Sequence, residues 1–190
     1  LPEEGFYRID TQDAPDNVGI WLDTSNLRFF NSTVSPSIME FYPSIGVKRD
    51  VSSKPAEELE ADELNVLRSF LGCRYLLSPL ENAASTQESL ADQPGWQRIS
   101  NQGAYAIWEN ENALPMGFAM DYYLPLDEYN SLDDSTQISL LLRAVMLDDE
   151  QVARWNPFIQ ELPDSLTGRM EDRFELDVAD RKAAGVENVW

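Results

Sequence analysis

The sequence predicts an α/β fold, a mixed β-sheet of about five strands with helices packed on it, and three observations carry that expectation. Leu64, Leu67 and Leu71 recur at helical spacing and run into Gly72 and then Tyr75-Leu76-Leu77, the helix, glycine, strand order that feeds an α/β sheet. Runs of strand composition at Phe6–Ile9, Trp96–Ser100, Ala104–Glu109 and Met116–Tyr123 are each bounded by turn-forming residues. A second amphipathic stretch, Ser135–Leu147, puts Ile138, Leu141, Leu142 and Val145 on one face.

Taken in order, Phe6-Tyr7-Arg8-Ile9 reads as a first strand closed by the polar cluster Asp10–Asn17. Val18–Leu22 and Leu27–Phe30 are short apolar runs separated by the turn-forming Asp23-Thr24-Ser25-Asn26. Ser35 is placed as an N-cap with Pro36 at the first helical position and Val34 able to staple onto Met39. That helix should run toward Tyr42, be perturbed by Pro43 and end at Gly46. Asp50–Ala61 reads as an acidic surface loop entering the Leu64 helix, and Pro79–Gly95 as an exposed connection with room for one helical turn. Asn101-Gln102-Gly103 supplies a hairpin turn, and Pro125 should stop the strand that begins at Met116. Asp134 or Ser135 is available to cap the Ile138 helix. Asp148-Asp149-Glu150 opens another helix carrying Val152 and Trp155, and Phe174–Val178 alternates like a strand. The 190 residues divide into an α/β domain over 1–160 and a C-terminal appendage, or the start of a following unit, over 161–190.

Charge narrows the function. Fourteen Lys and Arg against 34 Asp and Glu give a formal net charge of -20, which repels nucleic acid and anionic lipid headgroups unless cations or an uncharged patch intervene. With no histidine, Ser-His-Asp and Cys-His catalysis and imidazole-based zinc sites are excluded. The nine glycines form neither a dinucleotide nor a P-loop motif, so no cofactor is expected. The acidic runs Glu57–Glu63, Asp133-Asp134 and Asp148–Glu150 read as solvated helix faces and helix starts rather than paired catalytic acids. Asp13-Ala14-Pro15-Asp16-Asn17 crowds oxygen donors but lacks the order of a calcium loop. Cys73, in an apolar stretch, reads as a buried small hydrophobe. No apolar run reaches a membrane span, and the chain opens Leu1-Pro2-Glu3 without Met, so it reads as a soluble piece of something longer. Trp21, Trp108, Tyr122 and Tyr123 are the aromatics best placed in sequence to stack on a sugar, against a default of core packing.

Several short segments, in order, carry a resemblance. They are Phe6–Asp10, Phe30-Asn31-Ser32-Thr33 followed by a short helix to Gly46, Leu67–Leu77, Tyr105–Asn110, Leu114–Phe118, and Gln137 near the start of a late helix. Over about residues 6 to 150 the series resembles the YfhO family, large bacterial membrane proteins similar to polyprenyl-phosphate-dependent glycosyltransferases. The resemblance implies an extracytoplasmic domain cut from its transmembrane region, in a protein that adds sugars to cell-envelope polymers such as lipoteichoic acid from a lipid-linked donor. The family's catalytic carboxylate lies between membrane helices, so the resemblance implies no catalytic residue here and no activity for the fragment alone. Candidate substrate contacts are Trp21, Asn31, Asn110 and Tyr122, with a loop- and strand-holding role for Asn31, Asn110 and Tyr75 standing beside it. The expected partners are the protein's own transmembrane region and a lipid-linked sugar or cell-wall polymer. Two other classes stay open: a secreted carbohydrate hydrolase using paired carboxylates, and an envelope protein-interaction module.

Overall fold

Strand β1 (Arg8–Thr11) forms two residues later than the expected Phe6–Ile9 and takes in Asp10 and Thr11, in a computed structural model that describes residues 6–30, 35–48, 52–53, 55–168 and 173–186. The chain then makes α1 (Val18–Trp21), β2 (Ser25–Asn26) and β3 (Phe29–Phe30). Helix α2 (Pro36–Phe41) follows Ser35 and passes into a 3₁₀ turn, Pro43–Ile45, closed by Gly46 at φ 74° as the sequence predicts. Ser35 occupies the cap position but bonds the Ser37 hydroxyl at 2.8 Å instead of a backbone N–H. The Val34 staple and the Asn31-Ser32-Thr33 motif lie outside the described residues. Strand β4 (Ser52–Ser53) pairs antiparallel with β3. Helix α3 (Pro55–Glu58) leads to α4 (Ala61–Phe70), which Glu60 and Glu63 close with a reciprocal capping box. Gly72, at φ 66°, turns the chain into β5 (Cys73–Pro79), and a Cβ there would stand 2.9 Å from Leu114 O.

Pro79–Gly95 is more than a connection. After the 3₁₀ turn Leu80–Asn82, helix α5 (Ala83–Leu90) lays Ala83 and Leu90 on Leu76, Ala106 and Trp108 of the sheet. Strands β6 (Trp96–Gln102) and β7 (Tyr105–Asn110) form the expected hairpin, with Gly103 at φ 58° and a register shift between Arg98 and Ser100. The main sheet has five strands in the order β2-β1-β5-β7-β6. β2, β1 and β5 are parallel, and β7 and β6 are antiparallel to their neighbours, the mixed sheet the sequence predicts. Helices α4 and α5 cover one face, while Ile9, Tyr75 and Ile107 form the core of the other.

Three expectations fail beyond that sheet. The strand expected over Met116–Tyr123 is displaced to β8 (Tyr122–Pro125) and belongs to a second sheet; Pro125 ends it and opens α6 (Leu126–Asn130). The helix expected over Ser135–Leu147 stops early. Helix α7 (Asp134–Leu140), capped by Asp133 through Thr136 N at 3.0 Å instead of by Asp134 or Ser135, gives way to β9 (Ala144–Leu147). Ala144–Leu147 is apolar throughout, so its state is set by parallel pairing with β8, a partner 22 residues away, and not by local periodicity. Helix α8 (Asp149–Trp155) has the predicted acidic start, with Asp148 and Gln151 forming a capping box. Strand β10 (Gln160–Glu161) completes the order β10-β8-β9. After the 3₁₀ turn Asp164–Leu166, Phe174–Val178 opens helix α9 (Phe174–Ala183), not a strand. Phe174 and Val178, four apart, share a helical face that packs with Leu114 and Leu142.

Tyr42 and Tyr129 line buried clusters, Tyr42 beside α4 and α7 and Tyr129 beneath β8. Burial, and next the charge of Asp10, pushes the Tyr42 phenol up to about 12; for Tyr129, burial does the same against the bond its hydroxyl donates to Ser44 O at 3.4 Å. An unfolded tyrosine ionises near 10, so between pH 10 and 12 the unfolded chain binds fewer protons than the folded one and stability falls as pH rises. Urea midpoints should therefore drop steeply across that window, with tyrosinate absorbance appearing together with unfolding.

Candidate functional site

The order β2-β1-β5 puts the chain's neighbours in space on opposite sides of β1, so the crevice beyond its carboxyl end is a topological switch point, the usual ligand position in open α/β sheets. A cleft of about 220 Å³ opens there, between the end of β1 and helices α3, α4 and α5. Its floor is an ion pair. Arg68, on α4, donates from Nε and Nη2 to Asp10 Oδ2 at 2.9 and 2.6 Å, and both side chains are buried. Asp10 Oδ1 accepts from Thr11 N at 2.8 Å, so both carboxylate oxygens are engaged, and the Arg68 guanidinium lies over the Trp96 ring at 5.5 Å.

The walls mix the neutral polar side chains of Thr11, Gln12 and Thr86 with the charged ones of Asp13, Glu57 and Arg28 and with apolar residues. Thr11 Oγ1 accepts from Asn26 Nδ2 at 3.1 Å, which ties β1 to β2. The Gln12 backbone extends the strand by donating to Leu77 O. Its side-chain amide meets Thr86 Oγ1 at 2.9 Å, and the same hydroxyl lies 2.9 Å from Asn82 O. Asp13, held at φ 49°, accepts from Asn82 Nδ2 at 2.7 Å, and Arg28 is turned aside to Asp16 at 3.1 Å. The Asp13–Asn17 run thus spends its oxygens on fixing the rim. Among the described residues no group of three or more Asp, Glu, Cys or His could hold a metal ion.

Of the substrate contacts expected from the sequence, the three within the described residues, Trp21, Asn110 and Tyr122, do not line this cleft. Trp21 stands on α1, 79% exposed. Asn110, 2% exposed, spends its amide on the fold: Nδ2 donates to Ser69 Oγ and Cys73 O at 3.4 and 3.3 Å, and Oδ1 accepts from Asn112 N at 2.9 Å. Asn110 also borders a recess with Gly72, Arg74 and Lys182, near the start of β5 and away from the cleft. Tyr122 is half-buried in the second sheet, paired with Gln160 and Ala144. Asn31 lies outside the described residues. Trp108 is a core residue whose indole donates to Ser78 Oγ at 2.9 Å. Cys73 is fully buried, and burial pushes its thiol pKa well up. Thr11, Gln12 and Thr86 escaped sequence reasoning, because nothing local marks them until the strand order is known.

A family model described as bacterial membrane protein YfhO matches residues 2–157. The chain belongs to the YfhO family. The match runs from before β1 through α8 and so takes in the whole main sheet and the cleft. No curated protein matches the chain, and no solved structure does. In this YfhO-family chain, no helix among the described residues is long and apolar enough to cross a membrane.

Proposed function

We propose that this chain is an extracytoplasmic domain of a glycosyltransferase-like membrane protein acting on cell-envelope polymers such as lipoteichoic acid. Its part is to hold a sugar-bearing substrate while residues elsewhere in the protein do the chemistry. The observation that carries this reading is the cleft itself: a site at the switch point of an α/β sheet, walled by a hydroxyl, an amide and a carboxylate, in a member of a membrane-protein family. Such walls suit a polyhydroxyl ligand, which donates and accepts at every carbon. Asp10 holds the floor in place of attacking or protonating a substrate, since both of its oxygens are engaged. Asp10 is therefore not one of the open carboxyls that a two-carboxylate hydrolase needs. On this reading substrate contact belongs to Thr11, Gln12 and Thr86, and Asn110 serves the strands.

The test is a double variant of the whole membrane protein, Gln12→Ala with Thr86→Val, which leaves the ion-paired floor intact. Removing two polar contacts of about 1 kcal/mol each should slow sugar addition about tenfold or more. The readout is the sugar-to-phosphate ratio of extracted lipoteichoic acid at matched membrane abundance of the protein. An unchanged ratio would overturn the reading.

A further inference from the structure

The one-turn helix α1 and the residue that follows it display three consecutive large apolar side chains: Ile20 is 76% exposed, Trp21 79% and Leu22 44%. The tip is built, not loose. Gly19 is buried against β2, where a Cβ would stand 2.6 Å from Thr24 O and 2.9 Å from Asn26 Cβ, so only glycine lets the turn press inward there and point its next residues out. Thr24 N donates to Gly19 O at 3.0 Å, and Asn17 and Asp23, at φ 61° and 50°, bracket the turn. From Asn17 to Leu22 there is no charged residue, on a chain of net charge -20; of the two flanking acids Asp16 is paired with Arg28, and Asp23, next to Leu22, is exposed at the edge of the tip.

We infer that the Ile20-Trp21-Leu22 tip is a lipid-contacting surface that seats in the headgroup layer of a bilayer. The membrane-protein family supplies the bilayer. The indole, apolar with a polar N–H, suits that layer, and the uncharged tip is the patch through which so acidic a chain can approach lipid without repulsion. The inference rests on the family and the tip, not on the cleft, so either reading can fail alone.

The experiment uses the 190-residue chain with phosphatidylcholine vesicles carrying brominated acyl chains, and reads tryptophan quenching and vesicle co-sedimentation. Wild-type fluorescence should be quenched. Trp21→Ser, at an exposed position, should leave urea stability unchanged and lower partitioning about tenfold or more. Ile20→Ser with Leu22→Ser, which keeps the indole, should lower it too. Adding phosphatidylglycerol should weaken binding at low salt and do so less at high salt, as expected for an acidic chain held by an apolar tip. Equal partitioning of wild type and Trp21→Ser overturns the inference, as does a tryptophan signal that responds to soluble oligosaccharide but not to vesicles.

Discussion

Replacing Arg68 by alanine is expected to cost about 3–5 kcal/mol of folding stability, the penalty for leaving one member of a buried ion pair alone. Asp10 would remain under the cleft with Thr11 N as its sole partner on Oδ1, and Oδ2 would lose two guanidinium bonds, of 2.9 and 2.6 Å. The pair is also the tie between α4 and β1, so its loss loosens the helix whose Leu64 and Leu67 are buried in the core. Urea denaturation measures the loss. The double variant Asp10→Asn with Arg68→Met should recover much of it, because neither buried charge then remains. A single variant as stable as the wild type would show that water reaches Asp10 freely and that the floor of the cleft is wet.

Arg143→Ala should be comparably severe. Its Nε donates to Asp177 Oδ2 at 2.6 Å, and its Nη1 to Leu166 O and Gly168 O at 3.3 and 2.7 Å, all from the turn between α7 and β9. Removing it frees two part-buried carbonyls and leaves Asp177, 2% exposed, with the partly exposed Arg173. About 3–5 kcal/mol should be lost. Whether the loss is global is read by amide exchange: a single cooperative transition ties α9 to the rest of the fold, whereas early exchange confined to 174–183 marks 161–190 as a separate unit.

These two ion pairs explain where the sequence was readable. The run from Leu64 to Leu77 could be placed residue by residue because everything that shapes it is local: leucines at helical spacing, a glycine free to take φ 66°, then strand-forming residues. Ala144–Leu147 and Phe174–Val178 were misread because their states depend on distant partners, β8 for the first and the Arg143–Asp177 contact for the second. Alternation of Phe174, Leu176 and Val178 mimics a strand, yet Leu176 is exposed and the inward face is helical, with Asp177, Val178 and Arg181 buried and Phe174 partly so. The cleft was illegible for the same reason at a larger scale: Gln12 and Thr86 are 74 residues apart in the chain and meet through the strand order. Trp21 drew attention as an aromatic, but its exposure depends on the close packing of Gly19.

The burial of Cys73 has a practical corollary. The chain's sole thiol is shielded from solvent, and burial raises its pKa, so the native sequence should be silent toward maleimides. A cysteine introduced at an exposed site such as Glu88 or Gln97 would then be the one reactive handle in this chain, and an impermeant reagent applied to intact cells would report which side of the membrane that handle occupies.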